Sequence, residues 1–259
     1  MYKKIDNLSK SRILLSNDDG IHSPGLAIME QIARSISDDV WVVAPNSEQS
    51  GTGHSITLRR PIHIYQKDEK KYSIEGTPTD CVLIAIQHIM KGNPPDLILS
   101  GINSGANLGE DVHYSGTVAA AVEGTLQGIP SIAFSLIGKK EYKWQVPKFY
   151  SKKIIEDIYT SDWKKNILFN INFPDIEVND IKGIKFASQG RHKIGDNLIP
   201  RKNPRGQTYI WIGATRVGDL EDLSTDVSIC DNGYISITPL NIDQTHYETL
   251  KKLSVNFKQ

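Results

Sequence analysis

Residues 13–20 read Ile13-Leu14-Leu15-Ser16-Asn17-Asp18-Asp19-Gly20, and this stretch decides the fold. Three adjacent apolar side chains predict a short buried strand, and the polar residues after them predict a turn at its carboxyl end. Ser23-Pro24-Gly25 then supplies a helix N-cap and a proline at the first helical position. A strand followed by a capped helix is the repeating unit of a parallel sheet.

The same alternation continues through the first half of the chain. Apolar runs that end in proline or polar residues predict strands covered on both faces, and apolar residues at helical spacing predict helices between them. We therefore expect an α/β fold with a mostly parallel sheet and helices on both faces. The predicted strands are Val40 to Ala44, Leu97 to Leu99 and Ser131 to Phe134, and the predicted helices follow Thr79 or Asp80 and Ser115-Gly116-Thr117.

The pattern changes after about residue 182, where longer strands and polar loops predominate. Lys182 to Ser188, Gln207 to Gly213 and Tyr234 to Pro239 are strand candidates, and Thr245 to Leu253 predicts a closing helix. We interpret residues 1–259 as a single domain. Its α/β body spans about 13–182, and a β-rich arm with the C-terminal helix spans about 183–259.

The composition excludes several classes of protein. The chain has 259 residues with 30 basic and 30 acidic side chains, so no overall positive field attracts nucleic-acid polymers or membranes. We see no apolar run near the roughly 20 residues of a membrane helix, and the amino-terminal segment is too polar for a signal peptide. The two cysteines, Cys81 and Cys230, predict buried reduced thiols. We expect a cytoplasmic globular protein.

Polar, glycine-containing loops follow three of the predicted strands. They span residues 17–20, 46–54 and 101–107. Ligands of an open parallel sheet bind outside the carboxyl ends of its strands. The three loops are therefore expected to meet on one rim and to form the ligand site.

The neighbouring carboxylates of Asp18 and Asp19 indicate a cation site. Adjacent carboxylates repel each other unless they stay solvated or a positive charge lies between them. An ordinary turn is the alternative, but a capped helix follows instead of a second hairpin strand. Carboxylate, hydroxyl and amide oxygens suit Mg²⁺ or Mn²⁺, and the sequence offers no Cys or His cluster for a softer metal.

Ser115-Gly116-Thr117 opens a predicted helix and is a candidate phosphate turn. Unpaired N–H groups and the helix dipole favour an anion at such an end, although an ordinary N-cap explains the same residues. Gly101, Gly105 and Gly109 do not match dinucleotide or P-loop spacing. A cation and a phosphate on one rim together predict phosphate-ester chemistry.

Four ordered blocks resemble the SurE family, survival-protein nucleotidases that remove phosphate from nucleoside monophosphates. They are residues 13–21, residues 42–55, residues 76–82 and residues 95–124. The segment 233–240, near the carboxyl terminus, is a further match. The resemblance implies a Rossmann-like three-layer body with a protruding arm. It also implies arm exchange between subunits, giving a homodimer or a tetramer.

The resemblance further implies the site residues and the reaction. One divalent cation per subunit is held by Asp18, Asp19, Ser50 and Asn103. Phosphate is held by the glycine-bearing third loop and the turn before the third helix. The expected activity is that of a 5′- and 3′-nucleotidase, with short polyphosphate as a further substrate. Asp18 and Asn107 are the candidate catalytic residues, and the phosphate-binding set is Gly105, Asn107, Ser115, Gly116 and Thr117.

Several assignments stay open at this point. A metal-bound water is the favoured nucleophile, with covalent attack by Asp18 as the alternative. His54 has either a substrate contact or a structural role, whereas Glu110 and Asp111 are expected to face solvent. Asn241 stands where relatives often carry a histidine. The rival function is a nucleotide-binding regulator without turnover.

Overall fold

A computed structural model describes residue 2 and residues 7–138, 141–192, 198–213 and 220–256. The strands are β1 Arg12–Ser16, β2 Asp39–Pro45, β3 Ile64–Asp68, β4 Lys71–Ile74, β5 Leu97–Ser104, β6 Ser131–Leu136, β7 Ile167–Phe173, β8 Ile184–Phe186, β9 Leu198–Lys202, β10 Thr208–Ile212 and β11 Ile235–Asn241. The α-helices are α1 Pro24–Arg34, α2 Pro78–Ile84, α3 Gly116–Leu126, α4 Gln145–Thr160, α5 Asp226–Asp231 and α6 Tyr247–Asn256. Short 3₁₀ turns span Leu8–Lys10, Gly109–His113 and Val178–Asp180, and a π-helical turn, Ala85–Ile89, extends α2.

Nine strands form one sheet in the order β3-β4-β2-β1-β5-β6-β7-β11-β8. The six strands from β4 to β7 are parallel, whereas β3 pairs antiparallel with β4 and β11 pairs antiparallel with β7. The edge strand β8 pairs parallel with β11. Ser16 is in register with Ser100, so β1 and β5 reach the same edge of the sheet. The first and third predicted loops therefore leave the sheet side by side, which confirms the mostly parallel α/β fold.

Helices cover both faces of the sheet. Alternation along β1 sends Leu15 towards the cluster that contains α1 and α4, whereas Leu14 packs with α2 and α3 on the opposite face. Both leucines are completely buried. Full burial of such a side chain contributes about 1.5–3 kcal/mol, so each face anchors the central strand from which the first loop emerges.

The start of α1 packs unusually close to β5. Ser23 caps the helix by accepting a hydrogen bond from the Leu26 N–H, and Asn17 donates to the Ser23 hydroxyl at 2.7 Å. A Cβ at Gly25 would lie 1.9 Å from the carbonyl oxygen of Ile102. Only glycine permits this close approach of α1 to β5.

Two local predictions differ from the structure. Helix α2 is capped by Thr77 rather than by Thr79 or Asp80, and Asp80 instead completes a capping box by accepting from the Thr77 N–H. The strands predicted within 182–188 and 234–239 are β8 and β11, and both join the central sheet instead of an arm. The sheet therefore continues past residue 182.

A separate two-stranded antiparallel sheet, β9 and β10, forms the arm. Its exposed large apolar side chains are Leu198, Tyr209, Ile210, Trp211 and Ile212. Both cysteines are buried free thiols, as predicted. Among the helices of the described ranges, none has the length and apolar character to span a bilayer.

Candidate active site

Asp18 lies at the end of β1 and is almost completely buried. The Thr117 hydroxyl donates a hydrogen bond to its Oδ1 atom, and the Thr117 backbone N–H also points to this carboxylate. Burial raises the pKa of Asp18 from 3.8 to about 6, the Thr117 contact opposes the rise, and the charge of Asp19 adds to it. The carboxylate therefore sits against the N-terminus of α3 with its charge poorly compensated.

Asp19 is less buried and turns towards the third loop. Its Oδ2 atom accepts a hydrogen bond of 3.0 Å from the Ser104 backbone N–H. Burial raises the pKa of Asp19, Ser104 opposes the rise, and the charge of Glu48 adds to it. Asp18 thus faces α3 while Asp19 faces the end of β5, so the two carboxylates connect different walls of the rim.

The second loop reaches the rim through its backbone. The Gln49 N–H donates to the Asp18 carbonyl oxygen at 2.8 Å, and the Gly53 N–H donates to the Tyr114 carbonyl oxygen at 3.0 Å. Ser50 is exposed next to this first contact, and its hydroxyl donates to Glu48 at 2.9 Å. The structure therefore brings Ser50 to the loop of Asp18 without a direct hydrogen bond between the two side chains.

Asn103 stands at the end of β5, in the third loop. Its Nδ2 atom donates to the Gly105 carbonyl oxygen at 3.0 Å, which turns the amide oxygen away from this internal contact. Gly105 has a φ of 147° and donates its own N–H to Leu136 at the end of β6. The left-handed region favours glycine, so the loop depends on that residue to curve back over the sheet.

Asn107 is buried deeper than the other predicted site residues of this loop. Its N–H donates to Asn172 Oδ1 at 2.9 Å, and its side-chain Nδ2 donates to the Ser135 hydroxyl at 2.7 Å. Its carbonyl oxygen accepts from the Nδ2 atoms of Asn170 and Asn172. These contacts to β6 and β7 fix the loop rigidly over the carboxyl ends of both strands.

The turn at residues 115–117 forms the other wall. Ser115 caps α3 by accepting from the Val118 N–H at 3.0 Å. A Cβ at Gly116 would lie 2.7 Å from Asp18 Cβ, so the backbone of the turn contacts the carboxylate directly. The Thr117 hydroxyl is fully buried and engaged with Asp18. At this helix end, the Ser115 side chain and the Gly116 backbone line the wall beside Asp18.

The residues fit a hard divalent cation. No Lys, Arg or His side chain of the described residues forms an ion pair with Asp18 or Asp19, and burial raises both pKa values. A bound cation would relieve this uncompensated negative charge. Within the described ranges, no group of three or more His, Cys, Asp or Glu side chains is placed to hold a metal ion. A cation at Asp18 and Asp19 would therefore need neutral oxygens, such as those of Ser50 and Asn103, to complete its coordination.

Sequence reasoning missed two histidine–carboxylate pairs beside the rim. His54 Nε2 lies 3.0 Å from Oε2 of Glu123 on α3, and His192 Nδ1 lies 2.6 Å from Asp111 Oδ2. Asp111 is buried rather than solvent-facing as expected, and Glu110 accepts from the His192 N–H. The partners are 69 and 81 residues apart, so no local pattern pointed to either pair.

This geometry defines a class of protein. It is an α/β protein whose candidate ligand site lies at the carboxyl edge of a parallel sheet, with Asp18 of its aspartate pair packed against a helix N-terminus. The family described as "Survival protein SurE" matches residues 13–196. The chain belongs to the SurE family, which confirms the resemblance found in its sequence blocks.

The similarity to individual members extends over nearly the full length. A "5′-nucleotidase SurE" from Paramagnetospirillum magneticum is 49% identical and covers 96% of each chain. One from Rhodospirillum rubrum is 46% identical and covers 99% of this chain and 100% of its own. The crystal structure of the SurE protein from Aquifex aeolicus is 36% identical, with a TM-score of 0.84 over 95% of this chain and 100% of that one.

Proposed function

We propose that this protein is a metal-dependent nucleotidase that hydrolyses nucleoside 5′-monophosphates, and 3′-monophosphates as well, to nucleoside and phosphate. The observation that carries the proposal is the contact of Asp18 with Gly116 and Thr117. This contact places a carboxylate suited to binding a cation next to a helix N-terminus suited to binding an anion. The relatives named 5′-nucleotidase support the same reaction.

Asp18, Asp19, Ser50 and Asn103 would hold one Mg²⁺ or Mn²⁺ per subunit. Asp18 and Asp19 supply two hard anionic oxygens, and Ser50 and the Asn103 amide supply neutral ones. When bound, the cation would neutralise phosphoryl oxygens and make an attacking water more acidic. The protein's own contribution is to keep Asp18 buried and aligned through Thr117, and Asp19 through Ser104.

The phosphoryl group would lie between the third loop and the end of α3. Ser115 and the Gly116 backbone offer donors at the helix N-terminus, and Gly105 and Asn107 line the opposite wall. Thr117 would act through Asp18, because its hydroxyl is already bonded there. Short-chain polyphosphate would be a further substrate, because its terminal phosphate would bind the same residues.

We favour water as the nucleophile over covalent attack by Asp18. Asp18 is 4% exposed, one of its oxygens accepts from Thr117, and the other lies beside Gly116. Attack by this carboxylate would require it to leave both contacts. Acid quenching of a single turnover with a nucleotide whose phosphate carries ³²P separates the routes, because only covalent attack leaves a labelled phosphoaspartate at Asp18, and trapping that species would reverse our preference.

We further propose a single domain that assembles as a homodimer, or as a tetramer built from two such dimers, through exchange of the β9–β10 arm. The apolar side chains of the arm support this, because exposed apolar surface on a protruding hairpin favours burial against another subunit. We expect a cytoplasmic protein that binds neither nucleic-acid polymers nor membranes, in line with its balanced charge.

The test is phosphate release from a panel of nucleoside 5′- and 3′-monophosphates and polyphosphate with Mg²⁺, Mn²⁺ or EDTA. We expect activity with a divalent cation and none after chelation. Asp19→Asn should abolish turnover, whereas Asp157→Asn on the exposed face of α4 is the matched control and should retain it. Nucleotide binding without phosphate release under any cation would favour the regulator instead, and full activity in EDTA would overturn the metal requirement.

A further inference from the structure

Hydrogen bonds connect the segment between β8 and the arm to the turn Gly109–His113, which follows the loop with the predicted phosphate-binding residues Gly105 and Asn107. Gly190 and Gly109 donate their N–H groups to the two oxygens of Asp226 at 2.8 and 3.0 Å. Gln189 Nε2 donates to the Gly109 carbonyl oxygen at 2.9 Å. Asp226 is completely buried, so this junction lies inside the protein rather than on its surface.

His192 completes the junction. Its imidazole Nδ1 lies 2.6 Å from Asp111 Oδ2, its N–H donates to Glu110 at 2.6 Å, and its carbonyl oxygen accepts from the Asp111 N–H at 3.1 Å. The Asp111 side chain is 3% exposed, whereas that of His192 is 19% exposed. An ionised carboxylate only accepts, so Nδ1 carries the proton in this contact.

The close approach requires glycine on the opposite side. Gly109 has a φ of 52°, and a Cβ there would lie 2.5 Å from the His192 backbone nitrogen. A larger residue would therefore push the His192 segment away from the 3₁₀ turn Gly109–His113. Backbone and side-chain contacts of the His192 segment thus all act on the 3₁₀ turn that follows the third loop.

This stretch connects Asn107 to the phosphate turn. The Asp111 carbonyl oxygen accepts from the N–H groups of both Tyr114 and Ser115, at 3.0 and 3.1 Å. The residue whose side chain is held by His192 therefore also holds the backbone immediately before α3. A shift of the 3₁₀ turn would move Ser115 and Gly116 relative to Asn107.

We propose that His192 is a positioning residue of the nucleotidase site. Through Asp111 it holds the phosphate-binding site between Asn107 and Ser115 in its binding conformation before substrate binds. This inference rests on the proposed function. A preformed seat binds the phosphoryl group without first ordering the loop. Loss of the pair should therefore weaken substrate binding more than it slows the chemical step.

The kinetic test compares three substitutions of His192. His192→Asn retains a donor near the position of Nδ1, whereas His192→Gln places its amide near Nε2 and His192→Ala has no donor. We expect kcat/KM to fall about 10- to 100-fold in the Ala and Gln variants, mostly through a higher KM, because uniform binding is lost. The Asn variant should stay within about threefold of wild type.

The matched control is His63→Ala. His63 pairs with Glu75 at 3.0 Å on the exposed β3–β4 edge. The substitution therefore removes a similar pair far from the turn Gly109–His113. Its kinetics should equal those of wild type. A fall in kcat at unchanged KM that Asn does not rescue would assign His192 a chemical role and overturn positioning. Unchanged kinetics in all three His192 variants would also overturn it.

Amide hydrogen exchange tests the same proposal without turnover. In His192→Ala the Tyr114 and Ser115 amides should exchange about tenfold faster than in wild type, while those of β1 and β5 stay unchanged. Unchanged exchange at Tyr114 and Ser115 would overturn the positioning role of His192. If wild type shows no phosphate release, the proposed function fails, and the exchange result still decides whether His192 holds the turn.

Discussion

The Thr117 hydroxyl donates a hydrogen bond to the carboxylate of Asp18, which joins residues 99 positions apart in the chain. This contact places the helix N-terminus of α3 on the first loop of the sheet. It also leaves a buried carboxylate without a cationic side chain from the described residues. Function and stability therefore make opposite demands at Asp18.

Replacing Asp18 should stabilise the metal-free protein while abolishing its activity. Burial raises the pKa of Asp18 to about 6, so the ionised form destabilises the fold at pH 7. Asp18→Asn should raise the free energy of unfolding by about 2–3 kcal/mol, and Tm by several degrees. Thermal unfolding in EDTA measures this, with the more exposed Asp19→Asn expected to gain less. A lower Tm for Asp18→Asn would contradict the prediction.

The pH dependence of stability should reveal the same group. The pKa of Asp18 is raised in the folded state, from 3.8 to about 6, so between these values the folded protein binds more protons. The stabilising contribution of protonated Asp18 to the folded state is fully present below about pH 4 and is lost as the pH rises through about 6. The free energy of unfolding of wild type minus that of Asp18→Asn, measured by urea unfolding in EDTA, should therefore fall as the pH rises from 4 to 7. A difference that is constant from pH 4 to 7 would argue against it.

A methyl group at position 116 should disrupt the site. In Gly116→Ala the added Cβ would lie 2.7 Å from Asp18 Cβ and 3.0 Å from both Asp18 Oδ2 and Pro78 Cγ. Because Asp18 must move, we expect at least about a 100-fold loss of kcat/KM, consistent with the sensitivity of catalysis to displacements of about 1 Å. Gly92→Asn, on an exposed turn with open space, serves as the control and should keep full activity.

Charging the arm should weaken subunit association. Ile210 and Trp211 on β10 are 57% and 65% exposed, so a lysine at either position costs little within one chain. Ile210→Lys with Trp211→Lys should shift the mass measured by light scattering to that of a monomer. Phe149→Lys, on the exposed side of α4, provides the control. A wild-type protein that is monomeric at all concentrations would refute arm exchange.

The sequence predicted the parts of the site that depend on local pattern. The apolar run before Asn17 identified β1, and parallel strands required that its loop meet the loop after β5. The adjacency of Asp18 and Asp19 indicated a cation, and Ser115 was recognisable as a helix cap. Each of these features is contained within a few residues, which is why a single sequence suffices to find it.

The remaining features depend on contacts between distant segments. His54 meets Glu123 and His192 meets Asp111 because the folded sheet brings their elements together. Strand β11 was predicted to belong to the arm, yet it pairs antiparallel with β7, because no local signal in a sequence specifies which strand edge a segment joins. The sequence prediction placed the cap of α2 at Thr79 or Asp80, whereas the cap is Thr77 and Asp80 completes its capping box three residues later.

The bond between Gly109 and Asp226 has a consequence for biosynthesis. The two residues are 117 positions apart, so a nascent chain on the ribosome displays Asp18, Asn103 and Ser115 well before Asp226 is translated. The turn Gly109–His113 gains its bond to Asp226 only when α5 emerges. Premature termination before α5 would thus leave the first three loops synthesised but the seat between them unbraced.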